Sequence, residues 1–161
     1  MAKSCIRILS VLLIMAGLTS CVKFLQPSQV CGTWQSVQEK WTIIKDGVKT
    51  NENFDFGGVP TKESTYFQLY KAGFDTFSTT ETKSMTLVYS DRFSAIDPVS
   101  SERIKTQKSV TYKRGTITGS GNEVWKIESL EQGRMKLYYD SGVMEQDGVE
   151  VRKLCSFVFV K

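Results

Sequence analysis

The sequence from Cys31 to Lys161 predicts an all-β domain, folded as an antiparallel up-and-down barrel of eight to nine strands. Short segments rich in Thr, Val, Ile and aromatic residues alternate with turn residues throughout this region. No long segment with a 3.6-residue apolar period follows residue 20. Tight turns such as Asp46-Gly47 and Asp147-Gly148 favour antiparallel pairing of successive strands.

The segments between turns give the individual strands. We predict strands over 33–45, 64–72, 74–81, 84–90, 109–114, 115–119, 123–130, 134–140 and 149–161. A longer loop is expected at 119–122, which reads Gly-Ser-Gly-Asn, and 54–60 is expected within a long loop after the first strand. The best helix candidate is 100–107, where Pro98 and two serines could start one or two turns.

Alternation along the strands predicts which face is buried. Segments 84–90 and 134–140 each place three apolar or aromatic residues on one side, and in 134–140 Lys136 and Asp140 lie on the other. The last segment, 149–161, is apolar on both sides, which is typical of a doubly covered strand. A closed barrel buries one face and removes both sheet edges, and it makes the first and last strands neighbours.

The N-terminus has the layout of a signal peptide. Lys3 and Arg7 precede the apolar run 8–18, which is too short to span a bilayer as an anchor. The run ends in Leu18-Thr19-Ser20-Cys21, which resembles the lipobox of bacterial lipoproteins and implies that Cys21 is lipidated. The alternative is ordinary secretory cleavage, with Cys21 as a disulfide partner.

This reading divides the chain into a signal peptide (1–20), a lipidated tether (21–30) and one domain (31–161). Without Lys3 and Arg7 the chain carries 19 lysines and arginines against 17 acidic residues. Such a balance is not that of a nucleic-acid-binding protein, which would show a clustered basic face. We therefore predict the membrane, reached through the lipid anchor, as the first partner and no nucleic acid.

Two cysteines remain after removal of the signal peptide and lipidation of Cys21. Cys31 and Cys155 lie near the first and in the last strand, and exported chains usually oxidise their thiols, so we predict a Cys31–Cys155 disulfide. The alternative is two separate free thiols.

The start of the domain resembles a known family. Gly32-Thr33-Trp34 resembles the Gly-X-Trp motif that opens the lipocalin and wider calycin superfamily, and 112–140 looks like the second half of small lipocalin-like lipoproteins of Bacteroidetes-type bacteria. The resemblance implies a barrel whose closed end is plugged by Trp34, with Arg152 packed over it. A ligand role is the alternative for Trp34.

The resemblance also implies a small apolar or amphipathic ligand in the barrel. Phe54 and Phe56 are candidates for an apolar lid over the mouth, or for a loop packed on the core. Further candidate ligand-binding side chains are the aromatic residues Tyr66, Tyr70, Tyr89 and Trp125.

Little in the sequence indicates catalysis. The chain has no histidine, and its acidic residues show no EF-hand spacing, so we predict no catalytic residue, no metal and no cofactor.

The leading hypothesis is a ligand-binding outer-membrane lipoprotein. The alternative is a packed barrel that serves as an interaction or assembly module, and an envelope enzyme ranks third. Segment 22–30 lacks the acidic run linked to surface export, which favours the periplasmic face.

Overall fold

The computed structural model describes residues 25–72 and 82–161. The predicted signal peptide, Cys21 and the predicted strand 74–81 lie outside these residues. The elements are α1 (Pro27–Val30), β1 (Gly32–Lys45), β2 (Val48–Asp55), β3 (Tyr66–Lys71), β4 (Thr82–Ser90), β5 (Thr106–Lys113), β6 (Thr116–Thr118), β7 (Val124–Glu131), β8 (Arg134–Gln146) and β9 (Val149–Val160).

Eight of the strands form a closed antiparallel barrel in the order β1-β3-β4-β5-β6-β7-β8-β9, and β9 pairs back onto β1. The ninth strand, β2, pairs with the second half of β1, from Gln38 to Lys45, while the first residues of β1 pair with β3. The predicted fold class, an all-β up-and-down barrel of eight to nine strands, is confirmed.

Two-residue turns join several of the strands. Asp46-Gly47 and Asp147-Gly148, both predicted, have positive φ at both positions, with Asp46 at 48° and Gly47 at 75°. Arg114-Gly115 and Gln132-Gly133 do the same. Since a hairpin turn of this kind matches the twist of its flanking strands, these turns set the antiparallel register on either side.

Two local predictions were wrong. Residues 48–55 form β2 instead of part of a loop, because the Asp46-Gly47 turn brings this polar segment back along β1, where its backbone finds partners. The helix predicted over 100–107 does not form. Ser101 has φ of 58°, a left-handed conformation that ends a helical path, and β5 begins at Thr106.

Inward-facing side chains fill the barrel as the alternation predicted. Met85 and Leu87 on β4 and Met135 and Leu137 on β8 are fully buried, as are Phe157 and Phe159 on β9. On the opposite face of β9, Leu154, Val158 and Val160 are half-buried while Glu150, Arg152 and Ser156 are exposed, so this strand is not covered on both faces as predicted.

The barrel has two ends, which we name by the chain. The base is the end where β1 begins, and it also holds the β5–β6 and β7–β8 hairpins and the last residue of β9. The distal end holds the β1–β2 and β8–β9 hairpins and segment 91–105, which joins β4 to β5.

The N-terminal segment closes the base. Val30 is fully buried, and its carbonyl oxygen accepts a 2.7 Å hydrogen bond from Trp34 Nε1. Tyr112, whose pKa is raised by burial, donates its hydroxyl to the carbonyl oxygen of Leu25. Residues 25–30 therefore pack on the barrel, which corrects the second half of the predicted tether of 21–30.

Candidate functional site

Aromatic rings meet across the middle of the barrel. Phe67 on β3 and Trp125 on β7, which are opposite strands in the ring of eight, have centroids 5.6 Å apart. Phe159 also lies 5.6 Å from Phe67, and Phe157 lies 6.3 Å from Trp125. Contacts at these distances leave no room for a ligand between the two walls at this level.

Above Trp125, toward the distal end, the inward-facing side chains become polar. Lys108 on β5 donates to both carboxylate oxygens of Glu123, at 2.5 and 2.7 Å, and to the Tyr89 hydroxyl at 3.2 Å. Tyr89 packs on Trp125 with centroids 5.3 Å apart. Trp125 Nε1 is buried and has no hydrogen-bond partner, so its N–H can donate a hydrogen bond to an acceptor on a bound molecule or to water.

Tyr139 is buried beside Trp125. Its ring centroid is 4.1 Å from that of Trp125. Burial raises its pKa strongly, and the nearby Tyr89, Glu123, Asp91 and Asp140 raise it further. The Tyr139 hydroxyl therefore stays protonated at any physiological pH.

A second buried polar cluster lies under segment 91–105. Glu39 on β1 is completely buried and its carboxylate accepts four hydrogen bonds. The donors are Ser36 Oγ and Thr65 N at one oxygen and Trp41 Nε1 (2.7 Å) and Arg92 Nε (3.2 Å) at the other. A buried carboxylate needs such complete pairing to remain charged.

Segment 91–105 covers the distal end of the barrel. The guanidinium carbon of Arg92 lies 3.1 Å from the Phe54 ring centroid, and Phe93 packs edge-on against Trp41 at 4.9 Å. Arg103 makes contacts both within this segment and with the β2–β3 connection. It donates to the carbonyl oxygens of Asp91 and Arg92 and pairs with Glu63 at 3.0 Å.

Two shallow clefts of about 330 Å³ each flank this segment. One lies between Phe93 and the β8–β9 hairpin, with Ile43, Val149 and Val151 in its wall. The other lies on the outer surface beside Tyr66, and it is lined mainly by polar and charged residues, among them Arg103 and Lys105.

The predicted disulfide does not form. Cys31 and Cys155 are both free thiols. Cys155 on β9 lies opposite Trp41 on β1. Trp41 is ten positions after Cys31, and ten residues of a strand span roughly 33 Å. A disulfide requires the two Cα atoms within about 7 Å. Neighbouring first and last strands were predicted correctly, but the register between them keeps the thiols apart.

Both thiols are poor nucleophiles. Burial raises the pKa of Cys155 strongly, and the neighbouring Glu39 raises it further. Burial also raises the pKa of Cys31, although Lys71, Lys161 and Lys83 act in the opposite direction.

Trp34 is fully buried at the base, in the position expected for a plug. The prediction that Arg152 packs over this ring was wrong. The cation over Trp34 is Lys161, whose Nζ lies 4.8 Å from the ring centroid. Arg152 pairs with Ile44 toward the distal end and makes a two-pronged ion pair with Asp140. That contact holds the pKa of Asp140 below its usual value.

The predicted ligand-binding aromatics separate into two groups. Trp125 and Tyr89 come together inside the barrel. Phe54 and Phe56 are half-buried in and after β2, and Phe54 packs against the core. Tyr66 faces outward under Lys105, and Tyr70 is 38% exposed.

Sequence reasoning missed the charged groups at the distal end. Lys108 has the same strand parity as the buried Val110 and Tyr112, and Glu123 has that of Trp125. This alternation could have predicted that the side chains of Lys108 and Glu123 face the interior of the barrel. Arg92 lies outside any strand, and its contact with Glu39 had no signal in the sequence.

We found no match to this chain among protein-family models, curated proteins or solved structures. Within residues 25–72 and 82–161, no helix has the length and apolar character needed to cross a membrane. The same residues contain no group of three or more Cys, Asp or Glu side chains placed to hold a metal ion.

Proposed function

We propose that this chain is a lipocalin-like lipoprotein whose filled barrel acts as a rigid interaction module at the cell envelope. Cys21 carries the lipid, and the domain sits at the periplasmic face of the outer membrane. The observation that carries the proposal is the contact between Phe67 and Trp125 across the full width of the barrel. A barrel closed by its own side chains serves better as a scaffold than as a carrier.

The exposed apolar residues support the same function. Eight of the nine large hydrophobic side chains exposed in the described residues lie at the distal end or on the β2–β3 connection beside it, and the ninth, Tyr70, lies near the base. Val99 is 92% exposed and Ile96 51%. Clustered apolar surface of this kind marks a protein-binding face. Because the chain enters at the base, this face points away from the anchor.

The test is cross-linking in cells. A photo-reactive amino acid at Val143 is expected to capture a discrete partner, and the double variant Ile96→Asp with Val99→Asp should abolish that adduct. Tyr70→Asp is the matched control, since it also places a charge at an exposed apolar position. Adducts unchanged by the double variant, or equally reduced by Tyr70→Asp, would overturn the proposal.

A separate measurement addresses the anchor. Cys21→Ala should release the protein from the membrane fraction, whereas Cys31→Ala, at the base but outside the lipobox, should leave it there. Membrane retention of Cys21→Ala contradicts lipidation without touching the distal face.

A small-molecule ligand is the second candidate, favoured by one observation. Trp125 Nε1 is buried without a partner beside the Lys108–Glu123 pair, so an amphipathic molecule with a hydrogen-bond acceptor could bind at the distal mouth. Native mass spectrometry of the purified protein decides between the two. A stoichiometric small molecule that is lost in Trp125→Phe but kept in Trp34→Phe supports the ligand and rejects the filled barrel.

A further inference from the structure

The base of the barrel is more basic than the rest of the domain. Among the described residues at this end, six lysines and arginines lie in a hairpin, within two residues of a strand end or directly after β9, against one acidic side chain, Glu131. The six are Lys71, Lys83, Lys113, Arg114, Arg134 and Lys161. The other described residues carry 12 cationic and 14 acidic side chains. Within residues 25–72 and 82–161, the slight excess of positive charge is therefore concentrated at one end.

These cations surround the place where the chain enters the domain. Lys71 ends β3, which pairs with the start of β1, and Lys83 lies near the start of β4, the next strand. Lys161 Nζ lies over the ring of Trp34 near the start of β1. All six side chains belong to exposed residues. A ring of exposed positive charge thus encircles the N-terminal segment.

The length of the tether fixes what this ring can face. Leu25 is held on the base by Tyr112, so three residues, 22–24, separate the domain from Cys21. The four Cα–Cα steps from Cys21 to Leu25 span at most roughly 14 Å when fully extended. The Debye length is about 8 Å at physiological ionic strength, so a lipid on Cys21 keeps the ring within about two Debye lengths of the membrane surface even when the tether is fully extended.

We propose that the base binds the anionic phospholipid headgroups of the membrane that holds the anchor. The inference rests on the proposed lipidation and adds a second contact to it: lysines at the rim of the base pair with lipid phosphates and orient the barrel with its distal face outward. A lipid anchor at one residue holds a domain at a single point and leaves it free to tilt, whereas a charged rim around that point restricts the tilt.

The experiment uses the chain from residue 21 with Cys21→Ser, which retains every described residue and carries no lipid. Its binding is measured by co-sedimentation with vesicles of phosphatidylcholine alone and with vesicles containing phosphatidylglycerol. We expect binding only to the anionic vesicles, weakened by raising the salt concentration. Each lysine neutralised at the surface should weaken binding roughly fivefold.

Two triple variants separate the base from net charge. Lys71→Gln, Lys83→Gln and Lys113→Gln together should weaken binding on the order of 100-fold. Lys45→Gln, Lys49→Gln and Lys62→Gln, at exposed positions toward the distal end, change the net charge equally and should leave binding unchanged. Circular dichroism of both variants verifies that each folds, and the salt dependence of the parent chain tests the proposal if one does not.

Two results would overturn the inference. Equal binding to neutral and anionic vesicles removes the role of phosphate charge, and equal effects of the two triple variants remove the role of the base. Because the protein tested has no lipid, either result leaves the anchor and the distal interaction face to their own tests.

Discussion

The two ends of the barrel are closed by different chemistry. At the base, Trp34 and Val30 are buried together, and the hydrogen bond between them spans four residues of sequence. At the distal end, Glu39 meets Arg92, which is 53 positions away, in a buried ion pair. One closure is apolar and local in sequence, and the other is ionic and depends on the completed barrel.

This difference bears on robustness. An apolar plug loses stability in proportion to the contacts removed, whereas a buried ion pair that loses one partner leaves a charge without compensation. The distal closure should therefore be more sensitive to substitution than the base. It also lies next to the apolar face that we assign to a partner.

The largest expected effect comes from Glu39→Ala. The substitution leaves Arg92, in segment 91–105, without its carboxylate partner and removes the acceptor of the Trp41 N–H. We therefore expect a loss of about 3–5 kcal/mol in the free energy of unfolding. Urea unfolding followed by tryptophan fluorescence measures it.

Glu63→Ala is the control for this prediction. Glu63 pairs with Arg103, but its side chain is 51% exposed, so the loss should stay below about 1 kcal/mol. Similar losses for the two variants would show that the buried Glu39–Arg92 ion pair contributes no more to the free energy of unfolding than the exposed Glu63–Arg103 pair.

The next effect compares two fully buried tryptophans. Trp34→Phe removes the donor to the Val30 carbonyl oxygen, while Trp125→Phe removes a nitrogen that has no partner. Both lose similar ring volume, so we expect Trp34→Phe to destabilise the fold by about 1–2 kcal/mol more than Trp125→Phe. Equal losses in chemical denaturation would contradict a role for the hydrogen bond at the base.

A smaller effect is expected for Tyr112→Phe. It deletes the hydroxyl that bonds the carbonyl oxygen of Leu25 and should cost about 1 kcal/mol. The loss should be local, so hydrogen exchange should quicken at residues 25–31 and stay unchanged in β8. Tyr138→Phe, on the outer face of β8, serves as the control. Uniform acceleration across the barrel would refute a local closure.

The smallest effect concerns pH. The Arg152 contact lowers the pKa of Asp140 in the folded state, so its stabilising contribution is complete above the ordinary aspartate pKa of about 4 and disappears as pH falls through the lowered value. Asp140→Asn should therefore be slightly less stable than the parent chain at pH 7 and equal to it at pH 2. Thermal unfolding at both pH values measures the difference, and a gap that persists at pH 2 would contradict this assignment.

Much of the fold was predictable because its signals are local. The positive φ demanded at Asp46-Gly47 and Asp147-Gly148 depends only on those residues, and the alternation in 84–90 and 134–140 reports burial directly. Strand β2 escaped prediction because its residues are polar and exposed. Its pairing comes from β1 and not from any apolar pattern of its own.

The site was less predictable, since it is made by residues far apart in the chain. The predicted disulfide was wrong because knowing that β1 and β9 are neighbours does not give the register between them. The prediction that Arg152 packs over Trp34 was wrong for the same reason. Lys161, at the end of β9, reaches Trp34 instead. Glu39 and Arg92 had no pattern that joined them.

By itself, then, the sequence determined the strand class, the hairpin turns and the inward face of most strands. These follow from backbone sterics and from side-chain alternation, which act over a few residues. Only the tertiary structure decided which side chains meet inside the barrel: that Phe67 reaches Trp125, that Glu39 receives Arg92, and that Cys31 and Cys155 stay apart. Those contacts depend on register and closure, which are properties of the whole sheet.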